Sequence, residues 1–543
     1  MFRIRRVKCD ERTPHCLRCD SSGRVCDGYL DESRDFISRR QLSDRIKALA
    51  VVGPASRSLL RPTSSSPSAI PPAMSADEYM HFDLFRSSTA VDTDAASVLS
   101  GFWNRHLLQM AHGEPAVWHA TLALGALHRR WDLKSATATT TTEKQALMRS
   151  ATAHYGRAMA MAASLDARPE VLLALSLALT AAANMFGFWK EAHTHMLAGM
   201  RLLEEYADRF PAGMDDGVTS TLVRMDLQSM TYSDSSSAYP FDRTSSLRSL
   251  GRLTPQPGSP LESYSQATGV LFALIRRLVL TDQAFSNGHI DPAARDAARR
   301  QVVQDVALFE HQMAQFEAQQ PSPLSVPPNV TAAFVYVRIY HAWLKLLCRV
   351  PLSSPQLDYD SHLGYFERII VLCHAFLRKR QNTKDRLVLS LEPAVIVPLF
   401  DTAKRCRHPQ LRRLAVKLLK GVSRHEGMWR SDGAVAAAQV LIMIEEGISD
   451  EELLGSLGGL EVTEAQEATA LCLPWNVWSC SEFEPPCTYA WVGSEAVLKH
   501  DRIGAVMVLS LFGEDRFNLR LAMATEDLAQ PYGDVKDVTL SIR

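Results

Sequence analysis

The stretch Cys9-Asp-Glu-Arg-Thr-Pro-His-Cys16-Leu-Arg-Cys19-Asp-Ser-Ser-Gly-Arg-Val-Cys26 places four thiols within eighteen residues, directly behind the basic run Arg3-Ile-Arg-Arg-Val-Lys8. So short a segment buries no hydrophobic core, and its cysteines need another source of folding free energy. Thiolates at this spacing make a tetrahedral zinc shell, and metal binding then supplies that free energy. Residues 1–8 hold four cations, Arg3, Arg5, Arg6 and Lys8, and no acid, which suits a polyanion. Residues 1–30 are therefore expected to be a small metal-folded head, with Cys9, Cys16, Cys19 and Cys26 as its metal ligands.

The rest of the chain has a different character. It runs to 543 residues with 59 Lys+Arg against 60 Asp+Glu, a net charge of −1. A protein that binds nucleic acid along its whole length would be strongly basic, so any DNA contact must be local to the head. The length exceeds what one hydrophobic core usually supports, which predicts a small head and a large body. No basic-then-apolar signal segment opens the chain, which predicts an intracellular protein. The other six cysteines (Cys348, Cys373, Cys406, Cys472, Cys480, Cys487) lack ligand spacing and are expected to be buried reduced thiols.

Residues 31–76 read as a linker. Leu42, Ile46 and Leu49 form a weak helical stripe, and 53–76 is rich in Ser, Pro and Ala. Residues 77–450 read as a helical body interrupted by a disordered insert at about 211–262, with a shorter break at 319–329. Phe102, Trp103, His106, Leu107 and Met110 form an amphipathic stripe, and Pro115 opens a helix over 115–131 at a favoured first-turn position. Further helices are predicted over 148–165, 170–188, 190–206, 264–286, 291–318, 329–350, 361–380, 393–407, 408–425 and 431–447. Val171–Trp189 carries no charge over nineteen residues, but Ser176, Thr180 and Asn184 recur on one face, so a packed core helix fits better than a membrane span. Residues 451–543 are expected to form an α+β tail, with β-prone segments around Trp475–Trp478, Tyr489–Val492 and Val506–Phe512. The fold class is mainly all-α.

The head resembles the second half of the six-cysteine binuclear zinc cluster of fungal transcription factors: Cys9, Asp10, Glu11, Pro14, Cys16, Cys19, Gly23 and Cys26 match. Phe2 stands where that family has its second cysteine, and the first would precede Met1. In the family two zinc ions share bridging thiolates, so the resemblance makes Cys16 a bridge, with Cys19 and Cys26 on the same zinc. Two arrangements remain open. Either an upstream segment carries the missing cysteine pair, or Cys9 joins the other three in one four-thiolate site or a degenerate finger. The resemblance further implies that Arg5 and Arg6 reach guanine edges of CGG-like half-sites in double-stranded DNA, while Arg3 and Lys8 meet phosphates. Arginine suits base reading because its planar fork matches guanine O6 and N7. The bland reading of the same run is a nuclear-import signal.

The body resembles the fungal-specific regulatory domain in three scattered stretches. These are Phe102-Trp103 with Gln109–His112, Glu114–Val117 and Ala123–His128; His195–Gly199 with Leu202-Leu203; and Pro398–Phe400, Cys406-Arg407, Arg412-Arg413 and Glu426–Trp429. The implied function is a nuclear, zinc-dependent regulator of RNA polymerase II transcription controlling a metabolic or biosynthetic gene set. Implied partners are DNA, the transcription machinery or co-regulators, and a second copy in a homodimer. The alternative is a finger-defective relative acting as a cofactor through its body without reading DNA. Enzyme signatures are missing from the sequence: there is no phosphate-binding glycine loop, zinc-protease helix or nucleophile elbow. His193 and His195 on one helix point about 200° apart and do not share an ion. His425-Glu426 reads as a helix end with cation and anion side by side. No catalytic residue is nominated.

Overall fold

Ser75 begins the helical body with a reciprocal cap: its hydroxyl accepts from the Glu78 backbone N–H (3.2 Å), and its own N–H donates to the Glu78 carboxylate (3.1 Å). The computed structural model describes residues 75–97, 101–133, 137–162, 168–206, 214–232, 239–241, 260–319, 328–352, 354, 356–378, 387–479, 483–489, 503–511, 516–524 and 532–541. The chain divides into two units, Met1–Arg57 and Ser58–Arg543, and every described residue belongs to the second. The expected head, most of the linker, and the stripe Leu42, Ile46, Leu49 lie outside the described residues, as does most of the break at 319–329.

The architecture is mainly helical, with strands concentrated near the C-terminus, as the periodicity predicted. Helix α1 (Ala76–Leu84) runs through a π-turn (Phe85–Thr89) into α2 (Ala90–Ser97). A second π-turn (Phe102–His106) leads into α3 (Leu107–Gly113), followed by α4 (Pro115–Asp132), α5 (Ala138–Ala162), α6 (Pro169–Phe186) and α7 (Trp189–Tyr206). Helix α4 packs on α1, α5 and α6. Its crossing with α1 is possible only at glycine, because a Cβ on Gly125 would lie 1.9 Å from the His81 carbonyl oxygen.

Helix α6 is long and apolar enough to cross a membrane by composition, yet nearly all its residues from Val171 to Met185 are buried against neighbouring helices. Ser176 and Thr180 spend their hydroxyls on the carbonyls of Leu173 and Ser176 (2.7 Å each), while the buried Asn184 amide, third in the polar seam, makes no side-chain hydrogen bond. Gly187, at φ 75°, ends it.

Residues 214–231 correct the sequence reading. They fall inside the expected insert, yet form α8 (Met214–Thr231), a core helix. Val218, Leu222 and Met225 repeat at helical spacing and are buried. The segment looked polar because it carries Arg224 and Asp226, but both are buried with partners; Arg276 Nε meets Asp226 Oδ2 at 2.7 Å. Residues 233–238 and 242–259 lie outside the described residues.

Helices α9 (Tyr264–Ser286), α10 (Pro292–Ala318), α11 (Pro328–Arg349) and α12 (Leu363–Arg378) follow, then α13 (Ile396–Arg405), α14 (Pro409–Lys420) and α15 (Ser431–Glu446). A three-stranded sheet is threaded between them: β1 (Val388–Ser390) pairs in parallel with β2 (Arg424–Glu426), which pairs antiparallel with β3 (Trp429–Arg430). The residues expected to end a helix at 408–425 thus include a strand. His425 sits on it and is no cation: burial pushes its imidazole down to about 3.

The expected tail shares the body's core. Beyond α16 (Asp450–Ser456) and α17 (Glu464–Cys472), an antiparallel meander joins β4 (Ile503–Leu511), β5 (Arg516–Ala524) and β6 (Tyr532–Ser541). Leu453, Ala470, Trp475, Trp478, Ile503 and Leu521 belong to one buried cluster with α9–α15. Trp475–Ser479 is a 3-10 turn, not a strand. Its aromatic content signals burial: the Trp475 and Trp478 rings pack 4.7 and 4.9 Å from the His341 ring. Trp491 and Val492 lie outside the described residues. Among the six unpatterned cysteines, Cys373 and Cys406 are buried and Cys348 half-buried, but Cys472 and Cys487 are exposed, contrary to expectation, while Cys480 lies outside the described residues.

Candidate functional site

Cys9, Cys16, Cys19, Cys26, Arg3, Arg5, Arg6 and Lys8 lie outside the described residues, so the geometry available is that of the body. There the first and third of the stretches that carry the family resemblance supply residues to buried polar hubs. The first hub is Glu392, wholly buried. One of its oxygens accepts the Trp103 indole N–H at 2.6 Å, and the other accepts Arg224 Nε. Arg224 is likewise buried, and its remaining nitrogens reach the hydroxyls of Ser220 and Thr221 on its own helix. The second hub is Glu426, whose carboxylate accepts the backbone N–H groups of Ala394 (2.9 Å), Val395 (3.2 Å) and Ile396 (3.0 Å) and is paired with Arg424 Nε (2.8 Å). An anion here satisfies the orphan donors at the start of α13 and complements the helix dipole. Gly427 turns the chain beside it at φ 54°, where a Cβ would lie 1.9 Å from the Gln228 side-chain oxygen.

The third hub joins α14 to α15: Arg412 meets Glu445 at 2.6 Å, and Arg413 donates to Glu446 at 3.0 Å. Glu445 also accepts the Ile503 N–H at 2.9 Å, tying β4 to the body. Each hub is internally matched, which is what buried charge requires. The sequence could not reveal Arg224, Glu392 or Glu445 as partners, since they are separated by up to 289 residues from the groups they meet.

His193 and His195 diverge, as the helical angle implied. His195 Nε2 is 2.6 Å from the Tyr155 hydroxyl, and the His193 ring meets Tyr239 edge-on. Burial lowers both imidazoles to about 4, so both are neutral core groups near pH 7, with His195 bonded to the Tyr155 hydroxyl. His341 and Glu310, 2.8 Å apart, form a hydrogen bond and not an ion pair, because burial also lowers that imidazole to about 4.

Two clefts open among the described residues of the body. One, of about 400 Å³, lies between the C-terminal ends of α12 and α14, with walls of Leu377, Leu414 and Val462 and cations Arg378 and Lys417. Those cations are engaged, Arg378 with Glu467 (2.8 Å) and Lys417 with the Leu460 carbonyl (2.5 Å). The other, of about 410 Å³, is bounded by Val371, Ala470 and Leu473 with Arg368 and Tyr489. Burial lowers the Arg368 guanidinium to about 9. Both have volumes that suit small molecules, and their walls mix apolar side chains with charged and hydroxyl-bearing ones.

With this geometry in place, comparison with known proteins is informative. The family model of the fungal specific transcription factor domain matches residues 78–428, and that of the fungal Zn(2)-Cys(6) binuclear cluster domain matches residues 3–35. The chain is similar to the aspercryptin biosynthesis cluster-specific transcription regulator atnN of Emericella nidulans, 28% identical over 37% of this chain and 33% of that protein. It is also similar to the transcription regulator lscL of Purpureocillium lilacinum, 32% identical over 23% of this chain and 27% of that protein. The similarity thus spans about a third or less of the length of these relatives. No solved structure matches. Residues 78–428 enclose the Trp103–Glu392–Arg224 and Glu426 hubs, and on that match the chain belongs to the fungal specific transcription factor family, with a zinc-cluster segment at its head.

Proposed function

We propose that this protein is a nuclear, zinc-dependent regulator of RNA polymerase II transcription that reads specific DNA sequences through its head and is controlled through its helical body. The supporting observation is that the zinc-cluster match over residues 3–35 encloses all four thiols of the head and all four cations of the run Arg3–Lys8. The donor chemistry fits zinc, since four thiolates form a closed structural shell. Zinc, when bound, supplies the folding free energy of a segment without a core. Cys9, Cys16, Cys19 and Cys26 hold it, as one site or as part of the two-zinc cluster. Arg5 and Arg6 then present their guanidinium forks to guanine in CGG-like half-sites, and Arg3 and Lys8 neutralise phosphates and fix register. Binding as a homodimer would read paired half-sites. The printed name of the Emericella nidulans relative ties that protein to a biosynthesis cluster. This supports a biosynthetic or metabolic gene set as the target here.

The test is binding of the full chain to labelled duplexes with and without CGG half-sites, at fixed salt. Arg5→Ala or Arg6→Ala should cost roughly 1–3 kcal/mol on the specific duplex and relax sequence preference. Equal losses on both duplexes would reduce these residues to phosphate contacts. Specific binding that persists after zinc is removed would defeat the proposal.

A further inference from the structure

Away from the hubs and clefts, three side chains from separate helices meet near the start of the body. Glu78 lies on α1, His119 on α4 and His154 on α5, and one ligand atom from each falls within 4.8 Å of the others. The two imidazoles face each other through their Nδ1 atoms, 3.0 Å apart, with rings stacked at 5.1 Å. His154 is buried; His119 and Glu78 are half-buried, so the group opens toward solvent on one side.

We propose that Glu78, His119 and His154 form a binding site for a divalent first-row metal ion of zinc type, within the body and separate from the cysteine head. Two nitrogens bound to zinc at about 2.0–2.1 Å with tetrahedral angles lie about 3.3 Å apart, a few tenths of an ångström from what is observed. Two imidazoles and a carboxylate make a borderline-soft set that suits zinc over magnesium or calcium. Three protein ligands leave a fourth position to water, on the exposed side. The Ser75 N–H and hydroxyl both bond one oxygen of the Glu78 carboxylate (3.1 and 3.3 Å), which leaves its second oxygen as a ligand atom.

Burial lowers His154 to about 4, with His119 adding to it, and burial followed by Arg157 lowers His119. Both rings are therefore neutral near pH 7, the form that ligates. Burial pulls the Glu78 carboxyl up, but the Ser75 hydrogen bonds act against it and the net shift is downward. Arg157 is the opposing charge, acting on both rings. The Gly125–His81 contact brings α1 close to α4, so an ion at this site would pin α1, α4 and α5 together. Residues 78, 119 and 154 follow no ligand spacing, which is why the sequence does not announce the group.

Zinc content decides the matter. The full chain is dialysed against buffered free zinc and its metal counted, alongside His119→Ala, His154→Gln and Glu78→Gln, with helical content checked by circular dichroism. The wild type should hold one more zinc than His119→Ala or His154→Gln, and Glu78→Gln should bind that zinc at least ~10-fold more weakly. The same increment should persist in a Cys19→Ser background, which separates this site from the head. In that background zinc should also raise the body's thermal transition, and His119→Ala should abolish the rise. A folded His119→Ala chain with the wild-type zinc count and the same thermal response to zinc would overturn the proposal, leaving a hydrogen-bonded pair of neutral histidines. His119 is only half-buried, so this variant keeps the test open should His154→Gln fail to fold.

Discussion

The Trp103 indole donates to the Glu392 carboxylate at 2.6 Å across 289 residues of chain, with both side chains fully buried. The same carboxylate receives Arg224, so three distant segments depend on one anion. Glu392→Ala would leave the Arg224 guanidinium buried without its charge partner, and should destabilise the body by about 3–5 kcal/mol. Trp103→Phe removes the donor together with the five-membered ring, and should cost at least about 1–3 kcal/mol through the lost bond and the cavity left behind. Urea unfolding of the full chain measures both; a cost below ~1 kcal/mol for Glu392→Ala would mean that the guanidinium regains water.

Gly125 marks the tightest helix crossing. A methyl group there would meet the His81 backbone and not a flexible side chain, so relief requires α1 to move. Gly125→Ala should therefore destabilise the body by at least about 1–3 kcal/mol, despite alanine's better helix propensity. Faster amide hydrogen exchange over residues 76–84, with exchange in α9–α12 unchanged, would localise the effect. Stabilisation by the substitution would contradict the crossing.

Acid should weaken the fold through its buried histidines. Above pH about 6.5 these imidazoles are neutral in both folded and unfolded chains, and stability is at its full value. As pH falls below that, the unfolded chain takes up protons while His195, His193 and His341, lowered to about 4, and His425, lowered to about 3, resist them. Stability is therefore lost progressively between pH about 6.5 and 4, by up to about 3 kcal/mol per ring. His195→Gln, which can still bond the Tyr155 hydroxyl, should flatten this slope when thermal transitions are compared at pH 7 and pH 5. An unchanged slope would show that His195 is not protected from protons.

Zinc removal should separate head from body. Cys19→Ser, or a chelator strong enough to strip thiolate-bound zinc, should abolish order and DNA reading in residues 1–30. At equal free zinc, the main thermal transition of the helical body should be the same in Cys19→Ser as in the wild type. A shift in that transition with Cys19→Ser would show that the two parts unfold as one unit.

Helix positions were largely legible because amphipathic stripes repeat locally. The segments predicted over 264–286 and 291–318 agree with α9 and α10 to within a residue. Pro115 opens its helix as predicted, because proline at the first turn acts on the nearest backbone groups. Residues 214–231 were misread for the opposite reason: Arg224 and Asp226 count as polar in any local window, and only their distant partners Glu392 and Arg276 make them core residues. The aromatic run at Trp475–Trp478 misled in the same way, since large rings signal burial without specifying a strand.

Taken alone, the amino-acid order determined two things about this protein: a thiol-rich basic head, and a long helical body behind it. Both are written in spacings shorter than a few helical turns, where neighbouring residues interact whatever the rest of the chain does. Only the tertiary structure decided that Trp103, Arg224 and Glu392 share a hub, that Glu426 caps α13 from a strand, and that Glu78, His119 and His154 converge. Those relations join residues dozens to hundreds of positions apart. Their energies depend on desolvation and on a matched partner, and neither exists until the chain has closed around them.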